Sequence, residues 1–249
     1  MLDAALAFVL ALQDPAPANK PAPQEASAPV APAVEAWNDK IAKTKLDEFT
    51  KLQKGTPTLV EKNRALDVLA PGANKLLVKP LAQIIETEKL LVIRKRAAEL
   101  LANQPVAEAN PAIRKLLKNS RVGSYPPVMA ELLRGLGKCG YDASQWNEIS
   151  DVFEKEYHLE RVPMQEAILD LVQKHKEKKA VDLLLRNLDE PLATNVDAAE
   201  NPPAEYWEAR WKSWHAWRGK VKETLFVLTG QRFSDATEAK AWLQKNPLK

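Results

Sequence analysis

The sequence is poor in the residues that form disulfides, metal centres and nucleotide sites. Its 249 residues include one cysteine, three histidines and eight glycines. A lone cysteine excludes an intramolecular disulfide, no cysteine or histidine pair has zinc-site spacing, and no glycine-rich phosphate loop is present. We expect Cys139 to be a small buried residue. The sequence therefore predicts a non-enzymatic protein with no catalytic residues, no metal and no cofactor.

Neither sign of charge dominates the chain. It has 36 Lys and Arg residues against 33 Asp and Glu residues, a formal net charge of +3. So small an excess does not indicate a protein that binds nucleic acid. The hydrophobic content of 45% is enough to bury a core. Composition therefore predicts a folded chain without a nucleic-acid partner.

An apolar run occupies residues 2–12. It is too short to cross a bilayer, which takes about 20 residues, but it has the length of a signal-peptide core. Ala16-Pro17-Ala18 supplies small residues for cleavage before Asn19. We predict a signal peptide over residues 1–18. The protein would then be exported, periplasmic or extracellular, with no stable membrane span.

The start of this run leaves two alternatives open. No Lys or Arg precedes it, and Asp3 stands where a signal peptide has positive charge. Either the true start lies upstream of Met1, or the run is only an apolar tail and the protein is cytoplasmic.

Residues 19–34 form a Pro/Ala-rich stretch that includes Pro21, Pro23, Pro29 and Pro32. Proline at this density blocks helix formation and favours an extended chain. A segment of this composition cannot bury a core, so we predict a disordered linker.

A helical repeat of about 35 residues fills residues 35–190. The apolar anchors of one helix recur in the next two helices, as the series Ile93, Ala97, Leu101; Val128, Leu132, Leu136; and Pro163, Ala167, Leu171. The helices between them follow the same interval, in the series Val78, Leu81; Ile113, Leu116; Ile149, Val152; and Leu183. The series is displaced by one residue at Ile149 and Val152 and returns to the interval at Leu183. Such a period is typical of stacked helix pairs.

Caps and prolines predict where the helices begin. The first helix is expected from about Val34 to Leu52, because its apolar residues follow a helical period. Later starts are predicted at Thr56-Pro57, Asn110-Pro111, Pro126-Pro127, Ser144 and Pro163.

The helix that begins near Ile93 resembles the second helix of a HEAT repeat. The pattern is a β-branched residue, an arginine, two small residues and a leucine, here Ile93, Arg94, Ala97, Ala98 and Leu101. The period is close to that of tetratricopeptide repeats, but their aromatic and glycine positions are missing. The resemblance, over about residues 56–190, implies an all-α, right-handed α-solenoid that binds other macromolecules on a curved surface.

The outward positions of the second helices are the candidate interaction surface. On a helical wheel they are Lys95, Glu99, Ala130, Arg134, Gln165 and Leu169. Lys95, Glu99, Arg134 and Gln165 are the polar members, and they form no basic ladder. This pattern disfavours a DNA-directed enzyme of the HEAT-like glycosylase kind, which needs repeated Lys or Arg on this side.

Residues 191–205 form an acidic, proline-containing loop within a longer segment that has no positive side chain between Arg186 and Arg210. A cation site is the functional alternative for this region. Its carboxylates lack the alternating ligands and central glycine of an EF-hand, so we predict an ordinary exposed loop.

Residues 206–249 are predicted to form Trp-rich helices. Trp207, Trp211, Trp214 and Trp217 fall on one stripe of a helix, flanked by Arg210 and Arg218. We predict that these helices form a C-terminal cap, with the stripe packed on the last repeat. Stacking of the stripe on a ligand such as a sugar polymer is the alternative. With Leu228-Thr229-Gly230-Gln231-Arg232-Phe233 and Trp242, this end is similar to the tails of exported bacterial HEAT-repeat proteins of uncharacterised function.

The sequence therefore favours a scaffold for protein–protein interaction in the cell envelope or outside the cell, with a protein partner of unknown identity. The first alternative is a module that binds an envelope polymer, peptidoglycan or polysaccharide, through the tryptophans. The second is the HEAT-like DNA-directed enzyme.

Overall fold

The computed structural model describes residues 34–192 and 201–248. The predicted signal peptide over residues 1–18 and all of the predicted linker except Val34 lie outside the described residues. So do Asp197 and Glu200 of the predicted acidic loop.

The described residues are almost entirely helical, which confirms the all-α prediction. The twelve helices are α1 Asp39–Leu52, α2 Leu59–Leu69, α3 Lys75–Thr87, α4 Leu91–Leu101, α5 Val106–Leu117, α6 Ser120–Gly123, α7 Pro126–Lys138, α8 Trp146–Glu154, α9 Val162–His175, α10 Val181–Arg186, α11 Ala204–Thr229 and α12 Ala236–Lys245. Single 3₁₀ turns precede three of these helices, at Ala143–Gln145, Leu159–Arg161 and Lys178–Ala180. We call α1, α3, α5 and α8 the first helices, and α2, α4, α7 and α9 the second helices.

The first helix begins at Asp39 and not near Val34. Glu35–Ala36 (β1) instead pairs in parallel with Gly72–Ala73 (β2), in register at Glu35 with Gly72. Trp37 lies against Gly72 so closely that a Cβ on the glycine would be 2.0 Å from the indole ring. Asn38 then caps α1, because its Oδ1 accepts a hydrogen bond from the Ile41 N–H at 2.9 Å.

Three of the later predicted helix starts are also wrong by a few residues. Thr58 caps α2 in a capping box with Glu61, so Thr56 and Pro57 precede the helix. Asp142, and not Ser144, caps the 3₁₀ turn before α8. The starts at Pro126 and Pro163 are confirmed, since both prolines lie in the first turns of α7 and α9.

The third wrong start is at Asn110-Pro111, because α5 already begins at Val106 and Pro111 lies inside it. Asn110 does not cap a helix. Its side-chain amide donates to the carbonyl oxygens of Cys139 and Gly140, at 3.1 and 2.8 Å. A tertiary bond to the end of α7 therefore uses the side chain that looked like a cap in the sequence.

The predicted anchors form the core of the second helices. No more than 2% of the surface is exposed for Ile93, Ala97, Leu101, Val128, Leu132, Leu136, Ala167 and Leu171. The second helices pack in order, α2 on α4, α4 on α7, and α7 on α9, and α11 packs on α9. Among the first helices, α1 packs on α3 and α3 on α5. The repeat interval in the sequence thus corresponds to contact between successive second helices.

Polar contacts within residues 34–190 join neighbouring units only. Where a side-chain hydrogen bond joins residues more than 20 apart, the separation lies between 26 residues, as in Lys62 to Glu88, and 38 residues, as in His175 to Gly137. The backbone follows the same rule, since the Trp37 N–H donates to the Ala73 carbonyl. A separation close to one repeat is expected where each helix pair contacts its immediate neighbours.

Candidate functional site

Three of the predicted interaction residues lie on the surface of the second helices. Glu99 is exposed on α4. Lys95 lies 3.9 Å from Glu131, and Arg134 donates to the same carboxylate at 2.6 Å. The result is a chain of alternating charges from α4 to α7. Such a surface suits a partner with complementary charges of both signs better than a uniformly charged one.

Gln165 does not belong to this surface. It is fully buried, with 0% of its surface exposed. Its amide donates to the Phe153 carbonyl at 3.0 Å, and its Oε1 accepts from the Trp217 indole N–H, also at 3.0 Å. The prediction failed because α11 covers this side of α9. Ala130 and Leu169, also predicted to face outward, are buried as well.

The four tryptophans of α11 divide into two pairs. Trp214 and Trp217 are buried, and their indole N–H groups donate to the Asn187 carbonyl at 3.2 Å and to Gln165. Trp217 also makes an edge contact with Phe153 at 5.3 Å between ring centroids. These two rings join α11 to the preceding repeat, and they have no free face for a sugar polymer.

The other two tryptophans lie near the surface. Trp207 is half-buried, with Arg210 over its ring at 5.6 Å. Trp211 is 42% exposed, and its indole N–H donates to Glu190 at 2.6 Å. Within the predicted stripe, only Trp207 and Trp211 therefore have exposed ring surface on which a ligand could stack.

The ends of the predicted acidic loop have structural partners. Asp189 accepts from the Ala236 N–H at 3.0 and 3.2 Å and so supports the start of α12. The helix α11 begins at Ala204, so Glu205 lies in its first turn and not in the loop as predicted. Among residues 34–192 and 201–248, no cluster of His, Cys, Asp and Glu is arranged to hold a metal ion.

Cys139 is buried, as predicted, and its thiol donates to the Ala102 carbonyl at 3.3 Å. Burial raises the pKa of this thiol above its ordinary value. A thiol in this state is not a ready nucleophile, because the thiolate is the reactive form.

The sequence interpretation missed a cleft between α5 and α8. Its walls are the C-terminal half of α5 with the α6 turn on one side, and α8 with Lys155 and Glu156 on the other. Met129 of α7 and Met164 of α9 contribute to its lining. An outer chamber of about 490 Å³ adjoins a narrow inner one of about 40 Å³, and the two share Leu117, Lys118, Met129 and Val152. We call this feature the α5–α8 cleft.

The α5–α8 cleft has more positive than negative side chains. Its cationic residues are Arg114, Lys118, Lys155 and Arg161, and its carboxylates are Glu148 and Glu156. Lys118 donates to Glu148 at 2.7 Å across the cleft, and this hydrogen bond lowers the pKa of Glu148 below its ordinary value. Arg161 is only 8% exposed and is held by Glu156 at 3.2 Å and by the Val152 carbonyl at 3.2 Å.

No family model, curated protein or solved structure matches this chain. No helix in the described part of the chain has both the length and the apolar character needed to cross a bilayer. The resemblance to HEAT repeats and the predicted export therefore stay predictions.

Proposed function

We propose that this protein is a non-enzymatic scaffold, a right-handed HEAT-like α-solenoid whose second-helix surface binds a protein partner. The observation that carries the proposal is the unbroken packing of α2, α4, α7, α9 and α11. Polar contacts that reach only the neighbouring unit support the same arrangement. Arrays of this kind offer an extended surface, which suits a macromolecular partner more than a small substrate.

The charged chain on α4 and α7 is the part of this surface that we expect the partner to contact. Glu131 pairs with both Lys95 and Arg134, while Glu99 forms no ion pair with a described residue. Exposed charges of this kind add little to stability but affect which partners bind and how fast. In this proposal, the apolar run over residues 2–12 directs the protein to the cell envelope or outside the cell.

Affinity capture of the tagged full-length protein from its native cells tests the scaffold. The double variant Glu99→Lys/Arg134→Glu reverses two surface charges without touching the core. We expect a defined protein to be enriched on the wild type and reduced about tenfold or more on the double variant, because like charges then face each other. Lys115→Glu, an exposed charge change on α5, is the matched control and should capture as the wild type does. Equal enrichment on all three proteins would contradict the proposed surface.

Binding to an envelope polymer is the second candidate function, favoured by the exposure of Trp211 and the half-exposed Trp207. In that case Trp211→Ala abolishes co-sedimentation with purified peptidoglycan while the melting temperature stays within a few degrees. Sedimentation that is unchanged in this variant would remove the candidate.

A further inference from the structure

We propose that the α5–α8 cleft binds a short acidic peptide segment that carries an apolar side chain, supplied by the protein partner. The inference rests on the proposed scaffold function and names where and how one part of the partner binds. Three features of the cleft point to this occupant: its size, its two kinds of lining, and its charge.

The size suits a peptide and not a whole protein surface. The outer chamber, at about 490 Å³, lies within the range of about 300–1,000 Å³ that ligand sites usually have. It is a recess between two helices, so a segment that enters it must be narrow. A few residues of extended chain meet that condition, whereas a folded domain does not.

The lining separates into an apolar part and a polar rim. Leu117, Met129, Val152 and Met164 supply the apolar part. Met129 and Met164 are the chain's methionines apart from Met1, and both line this one cleft. Both methionines are buried, with 3% and 1% of their surface exposed, so they form the floor of the cleft, and the half-buried Leu117 and Val152 supply its accessible apolar surface. The polar groups of Ser120, Ser124 and Asn119 lie along the same chamber.

The charge of the cleft favours an acidic segment. Four cationic side chains against two carboxylates leave an excess of two positive charges. Glu148 is already paired with Lys118, and Glu156 with Arg161. Lys155 is exposed and forms no ion pair with any described residue. It is therefore the cation best placed to meet a carboxylate of the incoming peptide.

The structure offers a way to fill the cleft without disturbing the fold. Gly123 lies on the wall of the cleft, and a Cβ built on it meets no atom within 4 Å. Gly219 on α11 is equally open but lies away from the cleft. Gly123→Trp should therefore block the site, and Gly219→Trp provides a control with the same substitution.

The test uses a phage-displayed library of random short peptides selected on the immobilised full-length protein. We expect enriched peptides with an excess of Asp and Glu and at least one Leu, Met or Phe. Measured by fluorescence anisotropy, their affinity should fall at least about tenfold for Gly123→Trp and severalfold for Lys155→Glu, and should weaken as NaCl is raised. Gly219→Trp and Lys115→Glu should bind as the wild type does.

Several outcomes would overturn the proposal. Selection of no peptide, selection of peptides without an acidic excess, or equal binding to Gly123→Trp and wild type would each do so. Binding of phosphatidylserine vesicles that Gly123→Trp abolishes, with no peptide selected, would assign the cleft to a lipid surface instead. The scaffold is tested separately, because a captured partner that depends on Glu99 and Arg134 but not on Gly123 supports the scaffold and removes the cleft.

Discussion

The second helices pack on one another without interruption, whereas the row of first helices is closed between α3 and α5 and open between α5 and α8. The two rows also differ in the sequence. The anchors of the second helices keep their interval from Ile93 to Val128, but the first helices slip by one residue at Ile149. The slip and the cleft occur at the same helix, α8.

This difference indicates how the described helices can enclose a cleft without losing their core. Ile149 keeps an anchor position, with 3% of its surface exposed, while Val152 one turn later is only half-buried and lines the cleft. The second helices α4, α7 and α9 remain packed on one another beside the α5–α8 cleft. The packing of the second helices is therefore unbroken at the point where the first helices α5 and α8 separate.

The largest loss of stability should come from removing Trp217, the buried side chain by which α11 packs on α9. Trp217 is 1% exposed, contacts Phe153 and holds Gln165 by a hydrogen bond. Trp217→Ala should lower the free energy of unfolding by about 3–5 kcal/mol, because it creates a cavity and leaves a buried amide without its partner. Urea denaturation followed by circular dichroism measures the loss.

Trp211→Ala is the matched control, because Trp211 lies on the same helix but is 42% exposed. Its loss should stay within about 1 kcal/mol. If both variants lost the same stability, the buried contacts of Trp217 would not be what holds α11 on α9.

A smaller effect is expected at Gly135, where α7 packs against the end of α4 and against α5. A Cβ on Gly135 of α7 would lie 3.0 Å from the Ala102 Cβ and 3.3 Å from Ile113 Cδ1. Gly135→Val should therefore destabilise the protein by about 1–3 kcal/mol through overpacking. Gly219→Val, with no atom near its Cβ, should change stability by no more than about 0.5 kcal/mol. Equal melting temperatures for the two variants would show that α4 and α7 can separate at little cost.

The sequence predicted the continuous row well, because burial of a repeated helix face leaves a periodic pattern. Ile93, Ala97 and Leu101 and their later copies were identified from that pattern, and all but the half-buried Pro163 are buried. Single polar residues were harder to place. Gln165 was assigned to the surface since a helical wheel does not show that α11, about 50 residues away in the chain, covers it.

The cleft could not be predicted as a site, because it consists of space between helices and not of a residue pattern. Only the slip at Ile149 and Val152 indicated that α8 differs from α5. Asn110 is a comparable case at the level of one residue. Its amide was available to a helix cap or to the carbonyls at the end of α7, and only the tertiary structure decides between them.

The smallest expected effect concerns the ion pair between Lys118 and Glu148, which crosses the α5–α8 cleft. The hydrogen bond from Lys118 lowers the pKa of Glu148, with Arg114 contributing by charge from 3.9 Å. A carboxylate whose pKa is lowered by folding adds stability above its unfolded pKa, and this contribution is lost as the pH falls through the folded value. Lys118→Gln should therefore raise the pKa of Glu148 towards its ordinary value, as measured by NMR titration of the side-chain carboxyl carbon. Because Lys118 and Glu148 are both well exposed, the melting temperature at neutral pH should hardly change.

A pKa of Glu148 that is unaffected by this substitution would show that the pair does not span the cleft in solution. The opening between α5 and α8 would then be wider than the 2.7 Å contact implies.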